Sequence, residues 1–139
     1  MQLHRGRLID HVQLVVPDLE AAARFYAAVF GALGIPLGGK GDDYFWYDEL
    51  VVSTRTSRAA AGELTGRVHL AFQARDREAV DRFHAAALAA GGTDHGAPGE
   101  RPYHPGYYAA FVLDPAGNNI EVVHHGAAKV SAASITIDF

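Results

Sequence analysis

Eight histidines and sixteen acidic residues are the groups in this 139-residue chain that could hold a metal, because cysteine is absent. The lack of cysteine removes disulfide frameworks, thiolate zinc sites and cysteine nucleophiles, and leaves His, Asp and Glu as possible metal ligands. Two histidines are related by spacing. A shift of 58 residues lays His11 on His69 and carries Asp18 onto Asp76, Arg24 onto Arg82, Phe25 onto Phe83 and Gly34 onto Gly92. The matches fall at equivalent places in an apolar run, a cap, a helix and a stop, which marks an internal repeat.

The elements that would position these histidines follow from the pattern. Residues 8–16 are apolar and rich in β-branched side chains, closed by Pro17, and are predicted to form a strand. Asp18 then caps a helix whose apolar stripe (Leu19, Ala22, Ala23, Phe25, Tyr26, Phe30) ends near Gly34. Asp76 opens the second helix, with Val80, Phe83, Ala87 and Leu88 expected on its core face and Gly91-Gly92 as its stop. Strand-like pieces follow each helix, at 44–47 and 50–56 in the first copy and at 108–113 and 119–124 in the second. The expected architecture is α+β: paired βαβββ modules forming a curved mixed sheet around a cleft, with the helices outside. Module one spans 7–56, module two 65–125, and 58–65 connects them; the tail 126–139 has no counterpart, and its alternating segment 134–139 is a candidate edge strand.

Strand alternation assigns faces. Val12, Leu14 and Val16 belong under the first helix, which turns His11, Gln13 and Val15 towards the cleft. Val68, Leu70 and Phe72 take the helix side in the second copy, which turns Arg67, His69, Ala71 and Gln73 inward. The segment 113–120, Leu-Asp-Pro-Ala-Gly-Asn-Asn-Ile, is a hairpin loop with Pro115 at its first corner and Gly117 in the left-handed position. Pairing Asp114 with Asn118 sets Phe111 opposite Glu121, so Glu121 shares the inward face with Phe111, Ala109 and Tyr107. An unpaired buried carboxylate is costly and calls for a cation or a metal. Two imidazoles and a carboxylate converging from three strands form a ligand set for one divalent metal, Fe, Mn, Ni or Zn, with open positions for substrate.

Composition narrows the partners. The chain is 49% hydrophobic and 20% charged, ordinary globular usage. Its net charge of −4 offers no basic excess for nucleic acid or an acidic membrane surface. No apolar run approaches the length of a membrane span, and a cytoplasmic protein acting on a small molecule is expected. Residues 34–41 come close to a phosphate-binding loop, but Gly41 stands where Ser or Thr is needed and the segment follows a helix instead of a strand. The segment 96–106, read as a loop, carries Arg101, suited to an anionic group, and His104, which together with Tyr107 is a candidate proton donor or acceptor. His124 and His125 are expected at the surface.

Residues 8–20, Phe25-Tyr26, His69-Leu70-Ala71-Phe72 and above all 106–121 resemble the glyoxalase, bleomycin-resistance and extradiol-dioxygenase family, the vicinal oxygen chelate superfamily. The resemblance implies paired βαβββ modules and a divalent metal on His11, His69 and Glu121, with substrate bound through adjacent oxygens. It also implies a homodimer in which His11 of one chain can join His69 and Glu121 of the other. Glyoxalase I-like members carry a fourth ligand where this chain has Val51, so the three-ligand set is closer to extradiol dioxygenases and fosfomycin-inactivating thiol transferases. Catalytic roles would fall to Tyr107 and His104, and substrate contacts to Gln13, Arg101 and Phe111. The alternative from another class is a bleomycin-resistance-type module that binds a drug or metabolite without metal.

Overall fold

Short apolar runs, each followed by an aspartate that caps a helix, fold twice into the same unit. The computed structural model describes residues 8–60 and 62–129. Module one runs β1 (Val12–Val15), α1 (Leu19–Leu33), β2 (Gly39–Lys40), β3 (Tyr44–Tyr47) and β4 (Leu50–Ser53). Module two runs β5 (His69–Gln73), α2 (Arg77–Ala89), β6 (Thr93–Glu100), β7 (Tyr108–Leu113) and β8 (Asn119–His124). The sheet orders match, β1-β4-β3-β2 and β5-β8-β7-β6. In each sheet the first strand runs parallel to the last, and the other pairs are antiparallel. This is the expected α+β fold of paired βαβββ modules; each module has its own mixed sheet, and among the described residues the two sheets are not closed on each other by strand pairing. The candidate strand at 134–139 lies outside the described residues.

Local chemistry sets the helix ends. Asp18 accepts from the Ala21 amide at 3.0 Å and Asp76 from the Ala79 amide at 2.7 Å, each satisfying a donor that the first turn leaves free. Gly34, at φ 73°, closes α1 while the Ile35 amide reaches back to the Phe30 carbonyl at 2.9 Å. The same six-to-one bond, Gly92 to Ala87 at 2.8 Å, ends α2 with Gly91 at φ 97°. The buried stripe of α1 is Ala22, Phe25, Tyr26, Val29 and Phe30. In α2 it is Ala79, Val80, Phe83 and Ala87. Leu88 is 41% exposed, a correction to its expected place in the core: one residue past Ala87, it turns off the buried stripe.

A single apolar core runs through both modules. Phe30 of α1 meets Phe72 of β5 edge to face with centroids 5.0 Å apart. Burying an aromatic ring of this kind contributes about 1.5–3 kcal/mol. The Tyr26 hydroxyl donates to Asp114 Oδ2 at 2.6 Å, joining α1 to the β7–β8 turn. Asp114 also accepts from the Ala116 and Asn118 amides and from Asn118 Nδ2, so this buried carboxylate is fully engaged. Burial, then the charge of Asp114 and its hydrogen bond, push the Tyr26 phenol well above its ordinary pKa.

Three further expectations are corrected. Val12 is 37% exposed instead of lying under α1; it lines a crevice of about 110 Å³ between the modules, with Phe30, Leu50 and Leu70. Val15, expected on the open face, is buried, and Thr65 bonds its backbone, accepting from its amide at 2.7 Å and donating to its carbonyl at 3.0 Å. Residues 96–100 are not loop but the second half of β6, paired with β7 through register shifts between Asp94 and Gly99. Gly96 sits at φ 154° in that irregularity, a conformation that favours glycine.

Candidate metal centre

The 114–118 turn forms as expected. The Asp114 amide donates to the Asn118 carbonyl at 2.9 Å, Gly117 sits at φ 88°, and Phe111 stands opposite Glu121. With that register fixed, Glu121 on β8 has Ala71 of β5 on one side and Phe111 of β7 on the other. His69, at the start of β5, pairs with Asn119.

The two side chains meet. His69 Nε2 lies 3.0 Å from Glu121 Oε2, with the imidazole about half exposed and the carboxylate 5% exposed. Their outer atoms are already engaged: His69 Nδ1 is 2.9 Å from the Asn119 carbonyl, and the Tyr107 hydroxyl donates to Glu121 Oε1. A carbonyl can only accept, so Nδ1 carries the proton and a neutral ring keeps its lone pair on Nε2. That lone pair faces a carboxylate oxygen, and two such acceptors require a proton or a cation between them. Donors roughly 2.1 Å from one ion would stand roughly 3 Å apart at octahedral angles and roughly 3.4 Å apart at tetrahedral ones. The donor atoms and the groups that orient them are of the kinds that hold a divalent metal, and 3.0 Å is equally the length of a hydrogen bond between them.

Around the pair, Phe111 stacks on the His69 ring at 6.0 Å and 23°. Arg101 Cζ lies 5.4 Å from the Phe111 centroid. The Tyr107 ring meets Tyr103, His104 and His125 edge-on at 4.9, 5.3 and 5.3 Å. His104 donates from Nδ1 to the Pro105 carbonyl at 2.9 Å, which leaves Nε2 to accept from His125 Nδ1 at 3.0 Å. His125 is thus no isolated surface residue, and His124 bonds the Ala74 carbonyl at 3.1 Å. Strand parity alone did not reveal this, because the His125 partner comes from a turn 21 residues away. Asn119 Oδ1, also unforeseen, is buried without a hydrogen-bond partner among the described residues.

His11 and Gln13 lie elsewhere. His11 precedes β1, is 61% exposed, and places Nδ1 2.6 Å from Asp10 Oδ1. Among the described residues no group of three His, Asp or Glu is gathered closely enough to hold a metal. β1 and β5 belong to separate sheets, and His11, just before β1, is bonded to its neighbour Asp10. Gln13 is half-buried and donates from Nε2 to Ser53 Oγ at 2.8 Å. Residues 34–41 do not form a phosphate loop: Gly34 caps α1 and Gly39–Lys40 is β2.

Comparison with known proteins bears on the family and the fold. Residues 8–122 match the model of the glyoxalase/bleomycin resistance protein/dioxygenase superfamily. The chain belongs to that superfamily. A superfamily structure from Albidiferax ferrireducens, described as a glyoxalase/bleomycin resistance protein, is 32% identical, with a TM-score of 0.71 over 84% of this chain and 98% of that one. A lactoylglutathione lyase from Agrobacterium tumefaciens is 26% identical, with a TM-score of 0.62 over 86% and 94% of the two chains. An uncharacterised protein of Pseudomonas aeruginosa is 32% identical over 124 residues, 81% of this chain and 85% of its own length. No helix among the described residues is long and apolar enough to cross a membrane.

Proposed function

We propose that the protein is a divalent-metal-dependent enzyme that acts on a small substrate through adjacent oxygens, as a lyase or isomerase or as a ring-opening dioxygenase. The observation that carries this reading is the 3.0 Å approach of His69 Nε2 to Glu121 Oε2, with both outer atoms held by other groups. A bound ion, Fe, Mn, Ni or Zn, would supply Lewis-acid polarisation of substrate oxygens. His69 and Glu121 would hold it from one protomer and His11 from a second copy. Leu8 and Ile9, 91% and 59% exposed beside His11, are the apolar surface such a homodimer would cover.

The chain's own groups do the rest. The Asn119 carbonyl fixes the His69 tautomer, and Tyr107 orients Glu121 and can pass its hydroxyl proton at the edge of the site. His104 and His125 brace the Tyr107 ring, Phe111 walls the His69 side, Arg101 lies beyond Phe111, and Gln13 would enter with the second copy. A second reading, a cytoplasmic module that binds a drug or metabolite without metal, is favoured by one feature: His69 and Glu121 already form a hydrogen-bonded pair within the chain.

Elemental analysis of the untagged protein separates the two. About one divalent ion per chain, lost in both His69→Ala and Glu121→Ala, is the expected result. A wild-type protein that retains no ion after reconstitution would overturn the enzymatic reading and leave the binding module.

A further inference from the structure

Arg101 is a cation one aromatic ring away from the donor pair, across Phe111, with no acidic partner among the described residues. Its neighbour Glu100 bonds Arg77 instead, at 2.7 Å. The Arg101 side chain folds back along β6, where Nη2 donates to the Ala97 carbonyl at 2.8 Å and Nη1 to the Glu100 carbonyl at 3.4 Å. Glycine makes the room. A Cβ at Gly96 would lie 3.3 Å from Nη2, and one at Gly99 would lie 3.1 Å from Nη1, closer than ordinary packing. The guanidinium therefore rests over the Phe111 ring, which itself stacks on the His69 imidazole. Gly96, Phe111 and Glu121 are successive partners across β6, β7 and β8, so the cation and the carboxylate flank the same ring.

A guanidinium is always charged and has five N–H donors, of which two are used here. Held by backbone carbonyls and an aromatic face, it is pre-organised for a further acceptor. The chain has four more acids than bases, yet none of the described ones neutralises Arg101. We propose that Arg101 is the anion seat of this site: the ligand is a small oxyanion whose carboxylate or phosphoryl group binds Arg101, while its adjacent oxygens lie at His69 and Glu121. The placement of those adjacent oxygens rests on the metal reading above, whereas the anion seat itself does not.

The test is an amide NMR titration of chelator-treated, metal-free protein with sodium phosphate and, separately, sodium acetate at constant ionic strength. Saturable shifts at Gly96, Gly99 and Phe111, with millimolar Kd, are expected in wild type and equally in His69→Ala. Arg101→Gln should raise Kd at least tenfold, Arg101→Lys should fall between, and Gly99→Ala should weaken binding by displacing Nη1. The anion with the lower Kd distinguishes a phosphoryl from a carboxylate group. Absence of saturable shifts with both anions, or shifts that survive Arg101→Gln, would overturn the proposal even if the wild type binds metal. Anion binding in a wild-type protein that takes up no metal on reconstitution would keep the anion seat and overturn the metal reading alone.

Discussion

The two modules share a scaffold and differ in what one row of residues carries. Across module one the row is Gln13, Val51, Trp46, Gly39; across module two the matching row is Ala71, Glu121, Phe111, Gly96. An aromatic ring faces a glycine in both. In module one the Trp46 indole lies so close over β2 that a Cβ at Gly39 would stand 2.1 Å from it, and it stacks on Tyr44 at 5.9 Å. In module two the ring leans on His69 instead, and the residue beside it is a carboxylate in place of valine. The same strand order thus builds a donor site in one half and an aromatic, amide-edged surface in the other. Single positions in the row set what each half presents, and in module two the carboxylate of Glu121 meets His69.

Changes that break this contrast should differ in kind as well as size. Tyr107→Phe removes the hydroxyl that holds Glu121 Oε1 without altering the fold, so zinc affinity measured by calorimetry should fall about 10- to 100-fold. Unchanged affinity would reduce Tyr107 to packing. Gly39→Ala, in module one and away from the His69–Glu121 pair, should lower stability in urea unfolding by about 1–3 kcal/mol because Trp46 must move, and should leave zinc affinity alone. A loss of zinc affinity in Gly39→Ala would mean that the platform and the donor pair are coupled.

The sequence made the repeat, the two caps, the 114–118 turn and the Phe111–Glu121 register legible, because each depends on residues close in the chain or on strict alternation. Those features sufficed to bring His69 and Glu121 together on paper. What stayed hidden depends on distant partners. β6 has a glycine-rich sequence with little strand character, and its pairing with β7 determines its structure. The Val15 amide finds Thr65 50 residues away, and Tyr26 finds Asp114 88 residues away. His125 pairs with a turn residue whose position no periodicity encodes. His11 precedes β1 instead of lying inside a strand over 8–16, and whether it faces Glu121 depends on which sheets share a cleft, on which alternation within one strand is silent.

The most direct test of the metal centre is nitrogen NMR of the His69 ring during a zinc titration. Before zinc, Nδ1 should be the nitrogen held by the Asn119 carbonyl. On adding zinc, the Nε2 resonance should move to the metal-bound range and saturate, while Nδ1 stays protonated. An Nε2 resonance that does not respond, or a response confined to Nδ1, would contradict the assignment of His69 and Glu121 as the donor pair.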